Sequence, residues 1–125
     1  MTRIICAEDC GNSPRRLLIK KLLTALAKGD NGFVLKTLGE DVVWVRPGGE
    51  PIRGREAVAA FLEDRKAEPK LLMVISNIIT HGPAGAANGT IDLGDGTHQA
   101  FSHVYRFRSA ADSRIKEITE YLIET

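Results

Sequence analysis

The sequence predicts an α+β domain in which three helices cover one face of a curved, mostly antiparallel sheet. Apolar residues in the first part of the chain recur at helical spacing, whereas those of the second part run as strands. Between the two lies Glu40 to Phe61, EDVVWVRPGGEPIRGREAVAAF, a strand, a Pro/Gly turn and a helix in one stretch that carries the only Trp. Helices first and a meander afterwards place the helices together on one side of an antiparallel sheet.

Ser13-Pro14 opens the first helix. Ser13 offers a capping hydroxyl, and Pro14 is tolerated at the first helical position because its missing N–H would be unpaired there anyway. Leu18, Leu22 and Leu26 recur every four residues, and Ile19 and Leu23 widen the buried stripe. Gly29 is placed to end this helix with a left-handed cap and Asp30 to start the next, a short helix with Phe33, Val34, Leu35 and Leu38 as its apolar set and Gly39 as its stop. Val42 to Val45 has strand chemistry, and Pro47-Gly48-Gly49 ends it. After Gly54 a third helix presents Ala57, Val58, Phe61 and Leu62 on one face, and Pro69 closes it off. Strands then run over Lys70–His81 and Ala84–Leu93 with Gly82-Pro83 between them; Gly94-Asp95-Gly96 turns the chain into Thr97–Arg108, and Arg114–Glu124 completes the sheet. Asn88-Gly89 is an alternative turn, and the later one is preferred because it leaves longer paired strands.

At 125 residues and 43% hydrophobic, the chain suits one globular domain with a real core. Seventeen Lys and Arg against 16 Asp and Glu leave a net charge of +1, which gives no electrostatic case for nucleic acid or acidic lipid as partner. Mixed charge and dispersed apolar residues argue against disorder. No apolar run approaches the roughly 20 residues of a membrane span, and MTRIICAEDC is too weak for a signal peptide, so a cytoplasmic protein is expected. Cys6 and Cys10 could chelate a metal or form a redox switch, but no neighbours complete a zinc site, and a structural disulfide is disfavoured in a reducing compartment. The reading preferred is two thiols in a loose N-terminal arm, residues 1–12, ahead of a domain at 13–125, with no metal and no cofactor. Nothing has the form of a phosphate loop or a nucleophile elbow.

Alternation defines a site independent of any activity. If Trp44 faces the helices, so do Val42 and Arg46; on the penultimate strand Phe101, His103, Tyr105 and Phe107 share one nearly all-aromatic face, opposite Ala100, Ser102, Val104 and Arg106.

The element order, with Lys28-Gly29-Asp30 between the first two helices, EDVVWVRPGGEPIRG and the GREAVAAFL helix, resembles the nuclear transport factor 2-like superfamily over Ser13 to Thr125. It is most similar in look to the SnoaL-like polyketide cyclase and ketosteroid-isomerase branches. The resemblance implies a cone-shaped α+β barrel with an apolar pocket, and a homodimer formed through the outer face of the sheet. It also implies that Asn88 points inward, as do Ile118, Glu120 and Leu122, leaving Thr119, Tyr121 and Ile123 outside. The isomerase pattern itself is broken. Arg46 stands where the general base would be, and Leu22 and His103 stand where the oxyanion donors would be. A guanidinium stays protonated and cannot be that base, so ketosteroid isomerisation is rejected. The epoxide-hydrolase branch uses an Asp–Arg–Asp arrangement whose second acid is not evident here.

The expected lining is therefore Trp44, Phe101, Tyr105, Ile118 and Leu122, with polar points at Arg46, Asn88, His103 and Glu120: an apolar wall with a few convergent polar groups, suited to a small apolar molecule. In an enzyme, His103 would be the general acid/base with its tautomer fixed by Glu120, and Arg46 would hold a carboxylate or enolate oxygen. Those roles suit proton transfer next to a carbonyl, as in isomerisation, cyclisation or dehydration. Each residue also has a plain reading. His103 is then a core histidine bonded to Glu120 or Tyr105, Glu120 and Arg46 an ion bridge at the barrel mouth, the aromatics core, and Asn88 a partner for backbone groups. The alternative to an enzyme is a binding protein with the same pocket and no catalysis.

Overall fold

The computed structural model describes residues 2–7, 13–65 and 70–125. Its elements are β1 (Arg3–Cys6), α1 (Pro14–Lys28), α2 (Asn31–Lys36), β2 (Leu38–Val45), β3 (Ile52–Arg53), α3 (Arg55–Arg65), β4 (Leu72–His81), β5 (Ala84–Asp92), β6 (His98–Phe107) and β7 (Ile115–Glu124). The helix signals act as their chemistry requires. Ser13 Oγ accepts from the Arg16 N–H, Gly29 ends α1 in the left-handed conformation at φ 76°, and Asp30 accepts from the Phe33 N–H at the start of α2. Ile19, Leu22 and Leu23 are fully buried at the centre of the stripe, with Leu18 and Leu26 half-buried on its flanks.

Two boundaries differ from expectation near Leu38. Thr37, not Gly39, caps α2, and Leu38 already pairs with Ile115 while the Ile115 N–H bonds the Thr37 carbonyl at 2.9 Å. A ladder partner from the far end of the chain outweighs the helical periodicity of Leu38, so β2 begins there. Beyond the Pro47-Gly48-Gly49 turn the short β3 folds back on β2, pairing Val43 with Arg53 and Trp44 with Ile52. Residue Pro69, read as the stop of the third helix, lies outside the described residues. Gly94 and Gly96 take positive φ, whereas Asn88 and Gly89 lie within the ladder, so the later turn is the one used.

Residues 3–6, expected as part of a loose arm, form a strand parallel to β4, with Arg3 opposite Leu72 and Cys6 opposite Ile75. Cys6 is disulfide-bonded rather than a free thiol, contrary to the reading of two thiols; Cys10 lies outside the described residues.

The seven strands form one sheet in the order β1-β4-β5-β6-β7-β2-β3, with four antiparallel pairings and two parallel ones, β1–β4 and β2–β7. It curls without closing, and α1 and α3 pack on one face, burying Trp44, Tyr105, Phe107 and Ile118 completely. Arg15 fastens the start of α1 to the far end of the sheet. Its guanidinium donates to the carbonyls of Gly82, Ser109 and Ala110 at 2.7–3.0 Å and lies 4.4 Å from the centre of the Phe107 ring.

The row of rings on β6 fits because β5 is small where it faces them. Gly85, Ala87 and Gly89 stand opposite Tyr105, His103 and Phe101. A Cβ on Gly89 would overlap the Val74 carbonyl oxygen and come within 2.8 Å of the Phe101 ring. Gly89→Ala is therefore expected to lower the unfolding free energy by about 3 kcal/mol through forced displacement of packed groups. Gly96→Ala, with open space around it but φ 90°, should cost about 1 kcal/mol. Equilibrium denaturation of both variants checks the order, and equal losses would show that the close approach at Gly89 is not what requires a glycine.

Candidate functional site

The inward face of β6 and the inward face of β7 meet in register, and this brings His103 directly opposite Glu120. Both are buried, at 3% and 4% exposure. A carboxylate in such a place costs several kcal/mol unless its oxygens are satisfied. Here they are. Arg65 Nη1 donates to Oε1 at 2.8 Å and Oε2 at 3.0 Å, Trp44 Nε1–H donates to Oε1 at 3.3 Å, and His103 Nε2 lies 3.2 Å from Oε2.

An ionised carboxylate only accepts, so His103 Nε2 carries a proton. In the neutral ring Nδ1 then accepts from the Tyr105 hydroxyl, 2.8 Å away. Burial and, after it, the negative charge of Glu120 push the Tyr105 hydroxyl well above its ordinary 10.0, so it stays a donor. Burial alone would raise the Glu120 carboxyl, but the His103 hydrogen bond and the Arg65 charge outweigh it and hold the group at about 2. The result is a continuous hydrogen-bonded cluster, Trp44–Glu120–Arg65 with His103 and Tyr105, embedded among apolar groups.

His103 and Glu120 thus come together as expected, and Phe101 and Leu122 border the same cavity. Trp44, Tyr105 and Ile118 are wholly buried behind it, as core rather than as cavity wall. Arg46 does not join the cluster. Its parity would point it inward, but β2 ends at Val45, and past that end the exposed Arg46 side chain stacks 4.6 Å from the centre of the Phe61 ring. Asn88 faces the other way. It pairs with Ser102 on the outer side of the sheet and accepts from Asn77 Nδ2 at 2.9 Å, while Ala87 takes the inward position opposite His103. The stretch AGAANGTID has small residues in both phases, so hydrophobic alternation does not fix its face.

Arg65 is the residue the sequence reading missed. It sits at the end of α3, four residues after Phe61 and three after Leu62, and so continues the apolar face of that helix. A cation continuing a buried stripe was the available signal. Its guanidinium also lies 5.2 Å from the Phe61 ring centre, and the ring itself packs edge-on against Trp44 at 5.6 Å.

A cavity of about 30 Å³ reaches this cluster. Leu23, Leu26, Leu62, Met73, Ile91, Phe101 and Leu122 form its apolar wall, and Arg65, His103 and Glu120 its polar one, with Asn31 and Lys70 also on the lining. Among the described residues no group of three or more His, Cys, Asp or Glu is arranged to hold a metal ion. No helix there is long and apolar enough to cross a membrane.

The depressed Glu120 pKa has a definite sign in stability. A carboxyl held at about 2 in the fold against an ordinary 4.5 stabilises the protein fully above the higher value and loses that contribution as pH falls to the lower. The contribution is on the order of 3 kcal/mol. Denaturant titrations of the wild type and Glu120→Gln should therefore differ most near neutral pH, with the gap closing by about 3 kcal/mol towards pH ~2. A gap that does not change with pH would mean that the carboxylate charge contributes nothing to the fold.

No curated protein matches the sequence. Solved structures do. A protein of unknown function from Burkholderia pseudomallei aligns at TM-score 0.74 and 21% identity over 89% of this chain and 92% of that one. One from Cytophaga hutchinsonii aligns at TM-score 0.69 and 20% identity over 86% and 97%. Both are described as nuclear transport factor 2-like. An uncharacterised protein with a cystatin-like fold from Silicibacter pomeroyi aligns at TM-score 0.70 and 20% identity over 85% and 73%. These likenesses speak for the fold, and the SnoaL-like domain family matches residues 19–118. The chain therefore belongs to the SnoaL-like domain family, and its fold is the one those nuclear transport factor 2-like structures share.

Proposed function

We propose that this protein binds a small, mostly apolar molecule in the cup between the helices and the sheet, with the buried polar cluster orienting it. The observation that carries this reading is the cavity itself, which joins an apolar wall to the Arg65–Glu120–His103 cluster. At about 30 Å³ it takes one or two water molecules, far below the roughly 300 Å³ of a typical ligand site. Entry of a larger molecule requires the wall to move. Leu122, 38% exposed, and the half-buried Leu26 are the wall residues with room to do so.

A second reading is an enzyme that transfers a proton next to a carbonyl, as in isomerisation, cyclisation or dehydration. It is favoured by the placing of an imidazole on the cavity wall between a carboxylate and a phenol. Against it, both ring nitrogens are engaged and the Glu120 oxygens accept from Arg65, Trp44 and His103, so a proton acceptor is free only after the network opens. Mass spectrometry of small molecules retained through native purification identifies the ligand, and His103→Ala then separates the readings. Binding alone predicts affinity weakened by roughly tenfold and no turnover by the wild type. Catalysis predicts turnover that falls by 10²-fold or more in the variant while it stays folded. An unchanged affinity, with only a lowered melting temperature, would reduce His103 to a prop.

The same proposal includes a homodimer through the outer face of the sheet. Ile79, Val104, Tyr121 and Ile123 are 63%, 41%, 46% and 64% exposed there. Arg106 and Glu117 stand opposite each other on that face, so a two-fold partner would meet the patch with charges of both signs. Light scattering at micromolar concentration should give twice the 13.6 kDa chain mass, reduced to one by Ile123→Glu. A monomeric wild type removes the idea.

A further inference from the structure

We infer that the polar group that meets a bound molecule in this cup is Arg65, and that the molecule presents to it an uncharged acceptor oxygen rather than a carboxylate or an ammonium. This rests on the small-molecule reading above and goes further, to the contact and the charge class of the ligand.

The assignment follows from which donors and acceptors remain. Glu120 accepts from Arg65, Trp44 and His103, which uses the roughly four lone-pair sites of a carboxylate. His103 is bonded at Nε2 to Glu120 and at Nδ1 to Tyr105. At the rim Asn31 donates to Glu63, and Lys70 has a partner of its own. Arg65 is different. Both of its bonds to Glu120 run from Nη1, and its Nε–H and Nη2–H groups have no hydrogen bond among the described residues. Its side chain is 21% exposed overall and lies on the cavity lining, held by the carboxylate on one edge and by the Phe61 ring. A guanidinium fixed in this way offers preorganised donors on its remaining edge. Glu120 is then a positioning residue and not a base.

Charge decides the ligand class. Arg65 and Glu120 already cancel, so a second carboxylate would sit beside the first in an apolar enclosure, and a cation would face the guanidinium. A neutral carbonyl, ester or amide oxygen accepts from Arg65 without disturbing that balance.

The test uses the full chain with three matched small probes, 2-pentanone, pentanoate and pentylammonium, titrated while the Trp44 indole N–H is followed by NMR. The ketone should bind at least tenfold more tightly than either ion, and Arg65→Met should weaken it by roughly tenfold, the scale of a hydrogen bond to a charged group. Should the Met variant not fold, Arg65→Lys, which keeps the charge but not the fork, should weaken the ketone as well. Pentanoate binding as tightly as the ketone overturns the charge class, and a folded Arg65 variant with wild-type affinity for the ketone overturns the contact. Equal binding of all three probes removes this inference and leaves the pocket reading standing. No binding of any probe to the folded wild type removes both.

Discussion

A buried carboxylate is the constraint around which the interior is arranged. Glu120 is held by donors from three other elements: Arg65 at the end of α3, Trp44 on β2 and His103 on β6. Losing any one leaves part of the carboxylate desolvated and unpaired, which costs more than the bond was worth. The position of α3 over the sheet, the indole orientation and the imidazole tautomer are therefore coupled to a single side chain. The aromatic row of β6 obeys a second condition, since the Phe107 and Phe101 rings approach β5 closely where it has Gly85 and Gly89.

Much of the fold was legible because its signals are local. Ser13, Gly29, Asp30 and the Gly94-Asp95-Gly96 turn each act through neighbours within a few residues, and their chemistry is readable without a partner. What could not be read depends on distant partners. β1 is a strand only because β4 offers an edge, and Leu38 leaves its helix only because Ile115 arrives beside it.

The site divides along the same line. Alternation put His103 on the aromatic face of β6 and the family resemblance put Glu120 inward on β7, and the register sets the two opposite each other. Arg46 had the right parity on a strand that ended one residue too soon, and Asn88 lay on a strand too poor in large side chains to show its phase. The cation that does reach Glu120 comes from a helix, about whose side chains strand alternation says nothing. Family membership narrows the fold without naming the chemistry, because this architecture serves many chemistries and the side chains of the cup decide between them. In this chain those side chains are bonded to one another, and among the described residues Arg65 Nε and Nη2 have no partner in the network.

The parallel pairing of β2 with β7 joins an early strand to the last one. Trp44 and Glu120 are 76 positions apart, and Arg65 and Glu120 are 55 apart. The α1–α2 hairpin and the β4–β5–β6 meander can form from local contacts, but the interior that both must cover is incomplete until β7 docks between β6 and β2. During synthesis, α1, α2, β2 and α3 leave the ribosome before the β4–β7 strands that complete the cover of their apolar faces. The long-range closure that makes the cup also makes folding slow to begin and late to finish, and until it finishes Trp44 is paired with nothing it will finally touch on β7.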